Sequence, residues 1–154
     1  MVVETHSAEE TFELGYKMGQ KASSGDIVCL EGDLGAGKTV FAQGFAKGLG
    51  IRENINSPTF TIVQIYEGGR LPLYHFDVYR ITDIEEIYEI GFEEYFFGNG
   101  VCLIEWASIV HQVIPQSAVI IKIHKSLSAD FDYRKIEITG FMNMGEENEN
   151  DIGD

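Results

Sequence analysis

Hydrophobic and polar residues along the first third of the chain follow a pattern that predicts a helix, a buried strand and a second helix. Ser7 followed by Glu10 is a capping-box pattern, and the helical spacing after it predicts a first helix from about Ala8 to Ala22. The short apolar run from Asp26 to Leu30 predicts a buried strand. Apolar residues at i, i+3, i+4 and i+7 spacing then predict a second helix from Thr39 to Leu49.

The rest of the chain predicts a hairpin, one short helix and three further strands. In chain order these elements are expected at residues 61–67, 71–77, 83–90, 101–105, 118–124 and 132–139. The first two form an antiparallel hairpin turned by Gly68 and Gly69. The whole pattern predicts an α/β layered domain with a mainly parallel central sheet, some antiparallel strands and helices on both faces. Ligands are expected at the carboxyl ends of the parallel strands.

Length and composition indicate one domain. A chain of 154 residues with 44% hydrophobic content suits a single core, which we expect within residues 1–140. Residues 141–154 contain five acidic and no basic residues, which predicts a solvated, disordered tail. Cys29 and Cys102 lie in apolar runs and are expected to be buried thiols, in preference to a catalytic or disulfide role. Neither a membrane-spanning run nor a secretory signal is recognisable, so a cytoplasmic location is expected.

Acidic residues outnumber basic residues by 25 to 11, which gives a formal net charge of −14. Protein surfaces that grip nucleic acid use lysine and arginine to replace the counterions of the phosphates. The charge therefore disfavours direct binding of RNA by this chain. Any RNA is expected to be held indirectly, through a partner protein.

Residues 32–39, GDLGAGKT, match the pattern GxxxxGK[ST], in which one backbone turn wraps a nucleotide phosphate. The motif consists of Gly32, Asp33, Leu34, Gly35, Ala36, Gly37, Lys38 and Thr39. The glycines let backbone N–H groups turn inward, the lysine reaches the outer phosphates and the threonine hydroxyl ligates Mg²⁺. The predicted strand and helix on either side favour this interpretation over a glycine-rich turn that binds nothing. The expected architecture is thus a P-loop NTPase-like three-layer domain.

A second metal ligand is predicted at Glu105. This residue ends the apolar run VCLIE, where a carboxylate is costly unless a cation or a donor meets it. Because Mg²⁺ needs oxygen ligands in octahedral geometry, we expect Thr39 and Glu105 to hold it, directly or through water. A structural ion pair of Glu105 is the alternative. Trp106, the only tryptophan, either reports on nucleotide binding or is a core or rim aromatic.

Two further segments contain candidate chemical groups. Thr59, in the segment SPTF, could offer its hydroxyl to Mg²⁺ or the γ-phosphate, and a proline-containing turn with a capped hydroxyl is an equal alternative. In the segment YHFDVYR, Asp77 could position an attacking water or a water on the metal, and Arg80 could neutralise phosphate charge. His75 is expected to be a satisfied core histidine, although alternation also allows a His75–Asp77 pair that only holds the hairpin.

The identity of the base has a weaker signal. The guanine-reading pattern [NT]KxD does not follow the phosphate loop, so adenine, and therefore ATP, is the default. Thr11 or Phe12 on the first helix and Arg134 near the end of the domain could reach the base.

The motifs GDLGAGKT, SPTF, YHFDVYR and LIEW, in this order, resemble those of the bacterial TsaE family, small ATPases of tRNA threonylcarbamoyladenosine synthesis. The resemblance spans roughly residues 7–140. It implies that residues 32–39 bind ATP, that Thr39 and Glu105 hold Mg²⁺, that Thr59 belongs to a nucleotide-sensing switch and that Asp77 is functionally required.

The same resemblance implies partners. In the family the ATPase is weak alone and works with TsaB and TsaD, and TsaD transfers the threonylcarbamoyl group to adenosine 37 of tRNAs that read ANN codons. The chain would then not be the transferase, and ATP turnover would reset or license the complex. By itself it is expected to be a monomer or a weak oligomer.

Two other functions fit a phosphate loop. A small-molecule kinase would need an acceptor pocket and usually a lid with several arginines, whereas this chain has four arginines and no basic cluster. A binding module that holds ATP without turnover differs from an ATPase only in its kinetics.

Overall fold

The computed structural model describes residues 1–33, 35–58, 61–126 and 130–140. Its strands are β1 (Val2–Thr5), β2 (Ile27–Glu31), β3 (Val63–Tyr66), β4 (Leu73–Asp77), β5 (Val101–Glu105), β6 (Val119–Lys125) and β7 (Arg134–Thr139). Its α-helices are α1 (Ala8–Lys21), α2 (Lys38–Gly48), α3 (Glu85–Glu89) and α4 (Phe92–Phe96), and a 3-10 helix covers Ala107–Val113. Leu34, Thr59 and the predicted tail, residues 141–154, lie outside the described residues.

The seven strands form one mixed sheet in the order β1-β7-β6-β2-β5-β4-β3. The four central strands, β6, β2, β5 and β4, are parallel. At one edge β3 pairs antiparallel with β4, as the predicted hairpin requires, and at the other edge β7 and β1 continue the sheet antiparallel. The predicted α/β class is confirmed, and the antiparallel strands lie at the two edges of a parallel centre.

Successive residues of the central strands point into two different cores. Val28 and Leu30 face a core shared with α1 and α2, whereas Cys29 faces a second core shared with α3, α4 and the 3-10 helix. Helices therefore cover both faces of the sheet, as predicted. Burial, with a smaller contribution from the charge of Glu31, raises the pKa of the Cys29 thiol to about 12. Both Cys29 and Cys102 are buried free thiols, so the predicted structural role is confirmed.

Helix α1 packs against α2 through glycines on both helices. The four positions are Gly15, Gly19, Gly44 and Gly48, and a Cβ atom at any of them would collide with a backbone carbonyl oxygen of the other helix. The two helices therefore approach each other backbone to backbone. This contact fixes the position of α2 and of the loop that leads into it.

The ends of the helices follow local chemistry. The Ser7 hydroxyl accepts a hydrogen bond from the N–H of Glu10 at 3.1 Å, which caps α1 as predicted. The Glu10 carboxylate accepts from the N–H of His6 at 2.7 Å, one residue earlier than in the usual capping box. The helix predicted at 83–90 covers only Glu85–Glu89, and Gly91, with a φ of 72°, then turns the chain into α4. Among the described residues no helix has the length and apolar character needed to cross a membrane.

Candidate functional site

The phosphate-loop motif lies between the carboxyl end of β2 and the N-terminus of α2. Gly35 has a φ of 79° and Gly37 a φ of 112°, conformations that side chains with a Cβ rarely adopt. The N–H of Ala36 donates to the carbonyl of Asp33 at 3.0 Å, which closes the turn. Strands β5 and β6 flank β2 on either side. The loop thus opens at the carboxyl edge of the parallel strands, where the sequence predicts ligand binding.

Arg134, at the start of β7, holds the phosphate loop. Its Nε donates to the carbonyl of Ala36 at 2.8 Å, and the guanidinium also contacts a neighbouring loop carbonyl at 3.4 Å. Thr11 of α1 lies on the same side of the loop, about 4 Å from where a Cβ of Gly37 would stand. The Thr11 hydroxyl is buried and pairs with that of Thr5 at 2.7 Å. Of the three residues predicted to reach the base, Thr11 and Arg134 therefore flank the loop, and contact of any of the three with adenine stays a prediction.

Lys38, the first residue of α2, is only 6% exposed. Its Nζ has no hydrogen-bond partner among the described residues and lies 3.8 Å from the ring centroid of Trp106. The Trp106 ring also contacts Tyr79, with ring centroids 4.8 Å apart. A buried ammonium group without a hydrogen-bonding anion is costly, and an aromatic face offsets only part of that cost. The environment of Lys38 therefore fits an anionic ligand at the mouth of the loop.

Glu105 and Asp77 end adjacent parallel strands and stand directly opposite each other in the sheet register. Glu105 is 5% exposed, and its Oε2 lies 2.8 Å from Nε2 of His75. Asp77 accepts from the Ser57 hydroxyl at 2.5 Å and from the N–H of Tyr79 at 3.0 Å. The alternative of a His75–Asp77 pair is therefore wrong. Alternation places His75, Asp77 and Glu105 on the same face of the sheet, but the histidine pairs with Glu105 of the neighbouring strand.

A cleft of about 470 Å³ collects these groups. Its lining includes Gly35, Gly37, Lys38, Thr39, Val40, Ser57, Asp77, Tyr79, Arg80, Glu105 and Trp106. No group of three or more His, Cys, Asp or Glu side chains suited to a metal occurs in the described part of the chain. A single carboxylate with a threonine hydroxyl nevertheless suits Mg²⁺, which usually takes one or two protein ligands and completes its shell with water and phosphate oxygens. The residues present thus fit Mg²⁺ bound with a nucleotide.

Comparison with known proteins gives the family. The model for the family described as "Threonylcarbamoyl adenosine biosynthesis protein TsaE" matches residues 5–136. The chain belongs to the TsaE family. The tRNA threonylcarbamoyladenosine biosynthesis protein TsaE of Bacillus subtilis (strain 168) is 48% identical over 142 residues, which are 92% of this chain and 87% of that protein. The corresponding protein of Treponema pallidum (strain Nichols) is 45% identical, over 77% of this chain and 87% of its own length.

A crystal structure of YdiB from Bacillus subtilis has the same architecture. It is 42% identical in sequence, superposes with a TM-score of 0.75 and covers 97% of this chain and 88% of its own. Such identity over nearly the whole chain confirms the P-loop NTPase-like fold that the motifs predict.

Two contacts of this TsaE family member were not predicted from its sequence. Ser57 lies in the SPTF segment but its bond to Asp77 joins residues 20 positions apart. Tyr79, in the turn that follows β4, contacts the Trp106 ring at a tilted angle. For either contact, the only signal in the sequence is the presence nearby of the phosphate loop and of two strands that end in an acidic residue. Thr59 and Leu34, which the sequence also assigns to the TsaE site, lie outside the described residues.

Proposed function

We propose that this TsaE family member binds ATP with Mg²⁺ and hydrolyses it in the cytoplasm as a component of tRNA threonylcarbamoyladenosine biosynthesis. The tRNA threonylcarbamoyladenosine biosynthesis proteins TsaE of the two relatives, at 45–48% identity over most of the chain, support the pathway. The observation that carries the proposal of ATP binding is the buried Lys38 ammonium. It stands at the mouth of a glycine-rich loop, in a cleft that Thr39 and Glu105 also line.

Each residue of the cleft has a role in this proposal. Backbone N–H groups of residues 32–37 and the N-terminus of α2 bind the phosphates, and Lys38 leaves the Trp106 ring to contact the outer ones. Thr39 and Glu105 would hold Mg²⁺, which neutralises the charge on the transferring phosphate. Asp77 and Thr59 were predicted from the sequence as catalytic groups. The contacts of Asp77 with Ser57 and Tyr79 favour a role in holding the loop that approaches the terminal phosphate.

The proposal includes slow turnover by the chain alone. Acceleration in this class of site comes from positioning and charge neutralisation, and a partner that completes the site raises the rate. The partners proposed from the family resemblance are TsaB and TsaD, with TsaD as the transferase that modifies adenosine 37. The tRNA is then bound by the assembly.

Single-turnover hydrolysis of ATP and of GTP, with and without the TsaB and TsaD proteins, tests the proposal. We expect the wild type to release phosphate from ATP, to use GTP poorly and to accelerate when the partners are added. The variants Lys38→Ala and Glu105→Gln should lose roughly a hundredfold or more in rate. The first removes the positive charge that faces the transferring phosphate, and the second removes the negative charge of the metal ligand. Lys47→Ala, in the last turn of α2 and not among the cleft-lining residues, is the matched control and should keep the wild-type rate.

Three results would contradict the proposal. Equal use of GTP would contradict the choice of adenine. Phosphate transfer to an added acceptor in place of phosphate release would indicate a kinase. Nucleotide binding without turnover, even in the presence of both partners, would indicate a binding module.

A further inference from the structure

His75 lies directly behind Glu105, out of the cleft. It occupies the middle of β4, and Glu105 ends the neighbouring strand β5. The register pairs His75 with Leu103 and Asp77 with Glu105, so His75 reaches Glu105 diagonally across the same face of the sheet. Both side chains are nearly inaccessible to solvent, at 2% and 6%, and the contact between Nε2 and Oε2 is 2.8 Å.

The chemistry of the pair fixes the direction of this hydrogen bond. A carboxylate that ligates a metal is ionised and only accepts hydrogen bonds, so in the metal-bound site the imidazole proton is on Nε2 and the histidine donates. The bond occupies Oε2 of Glu105, while the carboxylate as a whole lines the cleft. Oε1 is then the oxygen available to a ligand in the cleft. His75 itself is not among the cleft-lining residues.

We infer that His75 is a positioning residue that orients the Glu105 carboxylate toward a divalent cation bound with the nucleotide. Carboxylates that ligate metals are commonly held by a hydrogen bond from behind, and loss of that bond weakens metal binding although the metal ligand itself is intact. This inference rests on the proposed function, because it requires nucleotide and metal to occupy the cleft. In this role His75 affects binding of the cation only through Glu105.

A buried histidine that merely fills the core would give a different result on substitution. Loss of packing lowers the stability of the whole domain and leaves unchanged the factor by which the metal strengthens nucleotide binding. Loss of orientation lowers the part of nucleotide affinity that the metal contributes and leaves metal-free affinity unchanged. The useful quantity is therefore the ratio of nucleotide affinity with Mg²⁺ to nucleotide affinity in EDTA.

Calorimetry with the non-hydrolysable analogue AMP-PNP, in Mg²⁺ and in EDTA, measures this ratio for the full chain. His75→Leu fills the space with a side chain of similar size but removes the donor, and we expect the ratio to fall roughly tenfold or more. His75→Gln offers an N–H at a similar reach and should restore the ratio to within about threefold of wild type. Leu73→Val, two residues earlier on the same face of β4, is the control for packing and should leave the ratio unchanged.

A double-mutant cycle locates the effect. In a Glu105→Gln background, His75→Leu should cause no further fall in the ratio, because the group it orients has already been altered. An unchanged ratio in His75→Leu, or an equal fall in the presence and absence of Glu105, would overturn the inference. Absence of AMP-PNP binding by the folded wild type would instead overturn the proposed function, and the positioning role of His75 with it.

Discussion

At the scale of single residues, the cleft is defined by the contact between Lys38 and Trp106. Trp106 adopts a φ of 64°, which is unusual for a bulky side chain and places its ring under the Lys38 ammonium. A cation–π contact contributes about 0.5–2 kcal/mol, less than charge-assisted hydrogen bonds to a phosphate provide in the same place. In the proposed function, the phosphates of a bound nucleotide would therefore draw Lys38 away from the ring. Strained backbone is often retained at functional sites, and here it keeps the Trp106 ring in contact with Lys38.

Trp106 fluorescence tests this account, since the chain has one tryptophan. We expect saturating Mg·ATP to change its emission, because the ammonium group leaves the ring face when Lys38 contacts phosphate. Lys38→Met should alter the emission of the nucleotide-free protein and abolish the response to nucleotide. If calorimetry shows saturation while the wild-type emission stays constant, Lys38 does not leave the ring and this account is wrong.

At the scale of elements, the site depends on how α2 is held. The phosphate loop is short, so the direction of α2 decides where Lys38 and Thr39 point. Strand β2 fixes one end of the loop, and the glycine contacts between α1 and α2 fix the other. Bonds from Arg134 to carbonyls of the loop add a third support from β7.

Gly44→Ala tests the contact between α1 and α2. The new Cβ would collide with the carbonyl oxygen of Phe12, and backbone cannot move aside as a flexible side chain would. Although alanine favours helix by about 1 kcal/mol, overpacking should outweigh it and lower the free energy of unfolding by roughly 1–3 kcal/mol. Thermal or urea unfolding measures the change. Gln43→Ala, the preceding residue of α2 and partly exposed, is the control and should change stability by less than about 0.5 kcal/mol.

The nucleotide affinity of Gly44→Ala separates displacement of α2 from loss of overall stability. Because the added methyl pushes α2 away from α1, we expect Gly44→Ala to bind AMP-PNP more weakly than wild type even where it is fully folded. Unchanged stability would show that α1 and α2 are not in backbone contact.

The elements around the site could be predicted because their signals are local. The loop motif, the apolar runs of β2 and β5 and the stripe of α2 each lie within about a dozen consecutive residues, as periodicity requires. Strand β1 was not predicted, because its four residues at a sheet edge show no clear alternation of apolar and polar positions. Helix α4 and the 3-10 helix were missed because five to seven residues are too few to establish a helical period.

Contacts between distant segments could not be predicted in the same way. The bond from His75 to Glu105 depends on the register of two strands 30 residues apart, and the bond from Arg134 to Ala36 joins segments 98 residues apart. Glu105 and Arg134 are predicted from the sequence as site residues. The sequence predicts neither the hydrogen bond from His75 to Glu105 nor the bonds from Arg134 to the phosphate loop. The hydrophobic pattern of a strand indicates which residues face the core, but not which distant segment the strand pairs with.

At the scale of the whole molecule, charge is distributed unevenly. The segment 83–94, which includes α3 and α4, has six acidic residues and no basic residue: Asp83, Glu85, Glu86, Glu89, Glu93 and Glu94. Even without residues 141–154, the chain has 20 acidic and 11 basic residues. Such a surface repels polyanions over the range of the Debye length, about 10 Å at 0.1 M salt.

We therefore expect the chain alone to bind tRNA negligibly at 0.15 M salt, with any tRNA affinity appearing only when a basic partner is present. Fluorescence anisotropy of labelled tRNA, titrated with protein to about 50 µM, covers much of the range of ordinary non-specific binding. A variant in which Glu85, Glu89, Glu93 and Glu94 are replaced by lysine shows that the assay can detect a change of surface charge. It should bind tRNA weakly at low salt and release it as salt rises, because lysines replace the counterions of the phosphates. Micromolar or tighter binding by the unaltered chain at 0.15 M salt would show that its 11 lysines and arginines form a surface able to bind tRNA, and would contradict the proposed indirect role of tRNA.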